Sequence, residues 1–265
     1  MSSDVVRMTL IGGPTVLLEV AGLRLLTDPT FSPPGAYPSG QITLTKLDGP
    51  ALDPEAIQSI DAVLLSHDQH ADNLDPEGRK FLARSPRVFT TNVGAQRLSG
   101  LAGPSDAIQG MAPWETRALV GAGGRTVHVT ATPARHGPAG IEPLTGEVIG
   151  FVLTFDDQAD RAIYLTGDTV WYEGVAEVAR RYDARIVLAF VGAAQTRGAV
   201  NLTMSAEDAV ETARAFPHAT IVPVHHQGWA HFTQHQDDVV KAFTAAGLTS
   251  RLRPLELGAP SSFEW

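Results

Sequence analysis

Short apolar runs bounded by turn formers dominate the first third of the chain. VRMTLIGG, TVLLEV and LRLLTD read as β-strands, since each is brief and rich in β-branched and aliphatic residues. Ala21-Gly22 between the last two predicts a hairpin turn. The Pro/Gly-rich TDPTFSPPGAYPSG breaks the pattern and predicts a long irregular loop, placed as a lip over a site. LDPEAIQSI predicts a short helix, DAVLLS a buried strand, and DPEGRKFLARS a second helix with Asp75 as N-cap and Pro76 at its first position. From Val93 to Gly124 no periodicity assigns an element. Beyond it, RTVHVTATPAR and VIGFVLTF predict neighbouring strands, and AIYLTGDT a strand ending in Gly-Asp-Thr. Helix and strand then alternate through WYEGVAEVARRY, RIVLAFVG, SAEDAVETARAF, TIVPV, QDDVVKAFTAAG and a final strand LRPLEL. Ser205 with Asp208 three residues on fits a weak capping box. Hairpins early and βα units late predict a layered α/β protein with mixed sheets. No internal repeat or linker divides the chain, so residues 1–265 read as a single domain.

Composition narrows the chemistry. A chain of 265 residues can bury a core without disulfide help. Cysteine is absent, so any metal must be held by nitrogen and oxygen. The net charge of −9, with basic residues scattered, argues against a nucleic-acid surface but leaves single arginines free to hold a small anionic substrate. The longest apolar run, Ile186 to Ala194, is far shorter than the ~20 residues a membrane span needs. MSSDVVRMTLIGG lacks the basic start and apolar core of a signal peptide. The expectation is a soluble cytoplasmic protein acting on a small molecule, its oligomeric state undecided.

Five apolar strands end alike. LRLLT runs into Asp28, AVLLS into His67, VHVTATPAR into His136, IYLTG into Asp168 and TIVPV into His225. Layered α/β folds assemble sites from such strand ends. Singly, each residue has a plainer account: Asp28 before Pro29 suits a turn, Asp168 suits a helix cap, and His225-His226 suits one buried and one exposed imidazole. Jointly, with His70 and Asp72 beside His67, they point to a metal site, and imidazole with carboxylate suits zinc, manganese or iron.

In their order along the chain, TDP at Asp28, SHDQHADNLD from His67 to Asp75, ARHGP at His136, YLTGDT at Asp168 and VPVHHQGWAHF at His225 resemble the metallo-β-lactamase-fold hydrolases. Within them the resemblance is to the ascorbate-phosphate-lactonase-like and N-acyl-phosphatidylethanolamine phospholipase-like branch. It implies a four-layer αββα sandwich with one or two divalent metals at the edge between two mixed sheets. It also implies His136 completing a first metal site, Asp168 bridging, His225 completing a second, and Asp28 as a buried organiser.

The chain departs from the family's His-x-His-x-Asp-His stretch. Aligning on LLSH makes His67 the first ligand and leaves His70 one residue late, whereas aligning on NLD puts Asp68 in that first place. His67 and His70, three apart, share a side only on a tight helical turn. With such a turn the ligands are His67, His70 and Asp72, with Asp68 as the rival. In both registers Asn73 replaces the last histidine and weakens the second site, where His226 or water could assist. The implied chemistry is attack by metal-activated water on a small ester, lactone or related acyl substrate, with Asp72 taking the proton and His231 donating one to the leaving oxygen. Trp171, Tyr172, Arg135 and Arg197 are candidates for substrate contact. A phosphodiesterase is the second reading, and a non-catalytic metal- or ligand-binding protein with a degenerate site the third.

Overall fold

The computed structural model describes residues 5–101, 106–156 and 158–264. In chain order the elements are β1 (Val5–Gly12), β2 (Thr15–Val20), β3 (Leu23–Thr27), β4 (Gly35–Ser39), β5 (Ile42–Lys46), β6 (Ala62–Leu64), α1 (Pro76–Leu82), β7 (Val88–Thr91), α2 (Asn92–Leu98), β8 (Ile108–Met111), β9 (Thr116–Val120) and β10 (Thr126–Pro133). They continue with α3 (Glu142–Thr145), β11 (Ile149–Phe155), β12 (Gln158–Leu165), α4 (Glu173–Arg181), β13 (Ala184–Phe190), α5 (Ala206–Ala215), β14 (Thr220–Val224), α6 (Gln236–Ala245) and β15 (Pro260–Glu264).

Two mixed sheets form the centre. The first has the order β15-β1-β2-β3-β6-β7-β8 and the second β14-β13-β12-β11-β10-β9, while β4 and β5 make a separate hairpin. Period-2 alternation explains their stacking. Val16 and Leu18 of β2 meet Val129, Phe151, Ile163 and Leu188 in a core between the sheets. Leu17 faces the other way, joining Phe81, Leu82 and Leu98 of α1 and α2. On the second sheet Val152, Tyr164 and Val187 turn outward onto Val178, Ala209, Ala213 and Phe243 of α4, α5 and α6. Three apolar cores between four layers give the αββα sandwich that the resemblance implied.

Local chemistry sets the element ends. Ala21 (φ 51°) and Gly22 (φ 78°) make the two-residue left-handed turn between β2 and β3. Asp75 caps α1 by accepting from Gly78 N, with Pro76 at its first position. Ser205 and Asp208 form a reciprocal capping box on α5. No helix among the described residues is long and apolar enough to cross a membrane.

Three expected elements differ. The Pro/Gly-rich loop holds the β4–β5 hairpin, where Pro38 is tolerated because the two strands join no larger sheet. LDPEAIQSI forms turns, with Ile57 and Ile60 buried beneath α1 without a helix to carry them. LRPLEL makes single bridges, Leu252 to Ile221 and Leu257 to Leu10, and the final strand is β15, antiparallel to β1. The unassigned stretch contributes most of α2 together with β8 and β9.

Candidate metal centre and cavity

Strands β3 and β6 are parallel neighbours in one sheet, and β10, β12 and β14 run the same way in the other, so their C-terminal ends meet at one edge. Asp28, at φ 30°, ties the first two ends together. Its Oδ1 accepts from Ser66 N at 2.6 Å and its own N–H donates to Leu64 O at 3.2 Å. It thereby fixes the backbone that enters His67. Gly167, at φ 60°, sits where an added Cβ would lie 2.6 Å from Ile149 O, which turns the chain sharply into Asp168.

The stretch after β6 turns tightly. His67 Nε2 lies 2.9 Å from His70 Nδ1, which lies 3.1 Å from His136 Nε2. His70 O accepts from Asn73 N and Leu74 N, closing the turn. The two intervening residues point elsewhere. Asp68 is buried and paired with the Arg97 guanidinium, whose Nε is 2.9 Å from Oδ2, and its backbone oxygen accepts from Arg79. Gln69 donates to Thr145 O and Glu147 O and accepts from Arg97 Nη2. Asp68, the rival first ligand, is thus held on Arg97 while His67 faces the cluster.

Six donors form two groups, His67–His70–His136 and Asp72–Asp168–His225, each with its atoms within 4.8 Å of one another. Each group draws on loops from both sheets. Asp168 joins them: Oδ2 lies 3.6 Å from His136 Nε2 and 3.9 Å from His67 Nε2, and Oδ1 lies 3.4 Å from His225 Nδ1. Asp72 Oδ2 is 3.2 Å from His225 Nε2 and 2.9 Å from His231 Nε2.

These residues fit a divalent ion. Donors ~2.1 Å from one tetrahedral ion lie ~3.4 Å apart, close to the spacings seen. His136 Nδ1 donates to Leu202 O at 2.7 Å, so the neutral ring aims an Nε2 lone pair into the group. His70 Nδ1 faces two other ring nitrogens and carries at most one hydrogen, which leaves lone pairs crowded together. Asp168 Oδ2, both nitrogens of His225 and Asn73 Oδ1 are buried without a hydrogen-bond partner. Such orphaned polar atoms are costly, and a cation would meet the acceptors among them.

Electrostatics agree. Burial, then the charge of neighbouring histidines, pushes His67 well below the usual range, and burial with His70 takes His136 down to about 3, keeping both rings neutral. Burial lowers His225 too. Burial alone would raise Asp72, but His231 and His225 outweigh it and hold the carboxyl well below its ordinary value. Asp168 goes well above, through burial and then repulsion from Asp72 and Asp28. Asn73 offers it only an amide, with Nδ2 3.3 Å from Oδ1.

Above the donors opens a cavity of about 330 Å³, its mouth included, lined by Ser39, Ile42 and Leu44 of the hairpin, by His70, Asp72, His136 and His231, and by Thr145, Ala194, Thr196, Arg197 and Leu202. Arg197, a candidate for substrate contact, and His231, the candidate proton donor, both line this cavity. Trp171 and Tyr172 do not; they pack on the outer core of the second sheet, and the Arg135 guanidinium stacks 4.4 Å over the Tyr172 ring. His226 lies outside both donor groups, its carbonyl accepting from His235 Nδ1. Sequence reasoning missed Ser39, whose Oγ accepts from Ala71 N, the Leu202 carbonyl that orients His136, and Arg97. Arg97 lies in the stretch with no periodic signal, and a carbonyl's role has no residue-type signature.

Residues 23–226 match the family model described as "Beta-lactamase superfamily domain". The chain is 25% identical over 263 residues to the UPF0173 protein YddR of Bacillus subtilis, covering 97% of this chain and 99% of that one. Among solved structures, an isothiocyanate hydrolase from Delia radicum gut bacteria superposes with a TM-score of 0.81 at 23% identity, covering 98% of this chain and 100% of that one. A structure described as a possible metal-dependent hydrolase from Veillonella parvula gives 0.80 at 21% identity, covering 96% and 98%.

Proposed function

The chain belongs to the Beta-lactamase superfamily domain family, and from that premise we propose that it is a metal-dependent hydrolase of a small ester, lactone or related acyl substrate. The observation that carries this reading is the pair of three-donor groups joined through Asp168 at the floor of a small cavity. His67, His70 and His136 would hold one ion, and Asp72, Asp168 and His225 a second, weaker one because an amide stands at Asn73. Zinc, manganese and iron all suit these donors. A bound ion supplies polarisation of the acyl oxygen and acidifies water toward a pKa of about 7.

The chain's own residues do the rest. Asp72, ionised and facing the cavity, orients the attacking water and accepts its proton. His231, 2.9 Å from Asp72 and on the same wall, is placed to relay that proton to the leaving oxygen. The apolar residues Ile42, Leu44, Ala194 and Leu202 seat the substrate and exclude bulk water.

The isothiocyanate hydrolase among the structural neighbours suggests a wider panel, since water attack on an isothiocyanate carbon needs the same activated nucleophile. The test pairs elemental analysis of protein purified without added metal with chelator-sensitive turnover of esters, lactones, isothiocyanates and phosphodiesters. Stoichiometric metal and chelator-sensitive turnover of an acyl substrate are expected. Metal-free protein, or activity indifferent to chelator, refutes the reading; turnover of phosphodiesters alone replaces it with a phosphodiesterase.

A further inference from the structure

The cavity wall carries one guanidinium that no carboxylate neutralises among the described residues. Arg197 is half-buried, between the small residues of the loop that follows β13 and the segment around Leu144. Its one polar contact is from Nη2 to Leu144 O at 3.3 Å, and no carboxylate pairs with it among the described residues. The other arginines around the site are occupied: Arg97 and Arg79 on Asp68, and Arg135 over Tyr172. Lys46, the nearby buried ammonium, is held by Asp75 and Thr30 O.

The remaining lining sorts by chemistry. Ile42, Leu44, Ala194 and Leu202 are apolar. Ser39 Oγ is engaged by Ala71 N, and Thr145 Oγ1 points back to Ile141 O. A guanidinium offers five N–H donors in a planar fork matched to a carboxylate, and a single carbonyl uses only part of that capacity. The contact to Leu144 O, exposed and 3.3 Å long, leaves most of the fork open to an anion. Leu144 itself is 55% exposed beside that contact.

We infer that the substrate is a small monoanion: a hydrolysable acyl group at the donor floor, a short apolar stem against Ile42, Leu44 and Leu202, and a terminal carboxylate on Arg197. This rests on the hydrolase reading for the reacting end and on Arg197 alone for the other. The cavity is narrow, about 330 Å³ even with its open mouth counted, which limits the stem to a few carbons.

The test separates the two claims by reading binding rather than turnover. Zinc-loaded protein is titrated calorimetrically with glutaramate and with glutaramide, stable amides that differ only in one terminal charge. Wild type is expected to bind glutaramate at least tenfold more tightly. Arg197→Gln reduces that preference to within about twofold, and Arg197→Lys keeps part of it. Thermal unfolding of each variant verifies the fold. Absence of glutaramate binding, absence of a preference in wild type, or a preference that survives Arg197→Gln overturns the inference; the last outcome assigns the carboxylate to the metal. Monomethyl glutarate and dimethyl glutarate are assayed alongside. If neither is hydrolysed the acyl-hydrolase reading loses support, while the titration still decides the role of Arg197.

Discussion

Replacing Asp75 with Asn tests how the cavity wall is held. Asp75 is fully buried at the start of α1, and each oxygen has two partners. Oδ1 accepts from Phe31 N at 3.0 Å and Gly78 N at 2.8 Å; Oδ2 accepts from Ser32 N at 2.7 Å and Lys46 Nζ at 2.9 Å. The carboxylate thus joins the segment after Asp28, the first turn of α1 and the end of β5. Asparagine keeps one oxygen but turns an NH2 toward two donors. It strands the Lys46 ammonium, 5% exposed, with only Thr30 O at 3.0 Å and the face of Trp229. Breaking one side of a buried pair costs about 3–5 kcal/mol, and the lost charged hydrogen bond to Ser32 lies within that figure. Lys46→Met should cost less, about 1–3 kcal/mol, because three backbone N–H groups still stabilise the carboxylate. The double variant should fall short of the sum by about 2 kcal/mol, since the stranded ammonium is gone. Urea denaturation of metal-free protein at neutral pH reads all three. A loss below about 1 kcal/mol for Asp75→Asn, or strict additivity, refutes the argument.

Asn73→His supplies an imidazole beside Asp168 and should raise the metal retained per chain after dialysis; an unchanged ratio by elemental analysis refutes the account of Asn73 as the weak position. His231→Gln should lower kcat on an acyl substrate by about 10²-fold with metal content unaltered, and a change confined to KM would remove His231 from proton transfer. For acid stability, burial lowers His226 from 6.5 to about 4 and His136 to about 3, so the unfolded chain takes up protons first. The histidine contribution to the stability of metal-free protein is then complete above pH ~6.5 and lost as pH falls toward those values, with His226 accounting for about 1.4 kcal/mol per pH unit below pH ~6. Protonated Asp28 and Asp168 act in the opposite sense, being stabilising at low pH and losing that contribution as pH rises. A stability gap between wild type and His226→Gln that does not narrow as pH falls from 7 to 5 refutes this reading.

The strands of both sheets were legible in the sequence wherever burial alternates cleanly, while their stacking as an αββα sandwich followed from the resemblance. Met8, Leu10, Val16 and Leu18 announce strands because one face of each meets the other sheet. Asp28, His67, His136, Asp168 and His225 were visible as polar residues interrupting such runs, and the structure gathers them at one edge. The β4–β5 hairpin was hidden by Pro34, Gly35 and Pro38, since its two strands owe their pairing to each other and to Trp229 and Ala71 beneath. LDPEAIQSI shows the reverse failure, where Ile57 and Ile60 have helical spacing yet are buried by turns. Asp68 was ambiguous because its partner, Arg97, is 29 residues away in a stretch without periodicity. Long-range pairing of that kind leaves no local mark.

Because each donor group takes residues from both sheets, an ion bound there fastens the two halves of the sandwich at their open edge. Separating the sheets then requires giving up the ion, so the loaded chain should unfold far more slowly than the empty one, beyond the equilibrium gain that binding confers. In a cell with active proteases, loaded copies would then outlast copies that never acquire metal. The abundance of the protein, as well as its activity, would follow the metal it receives.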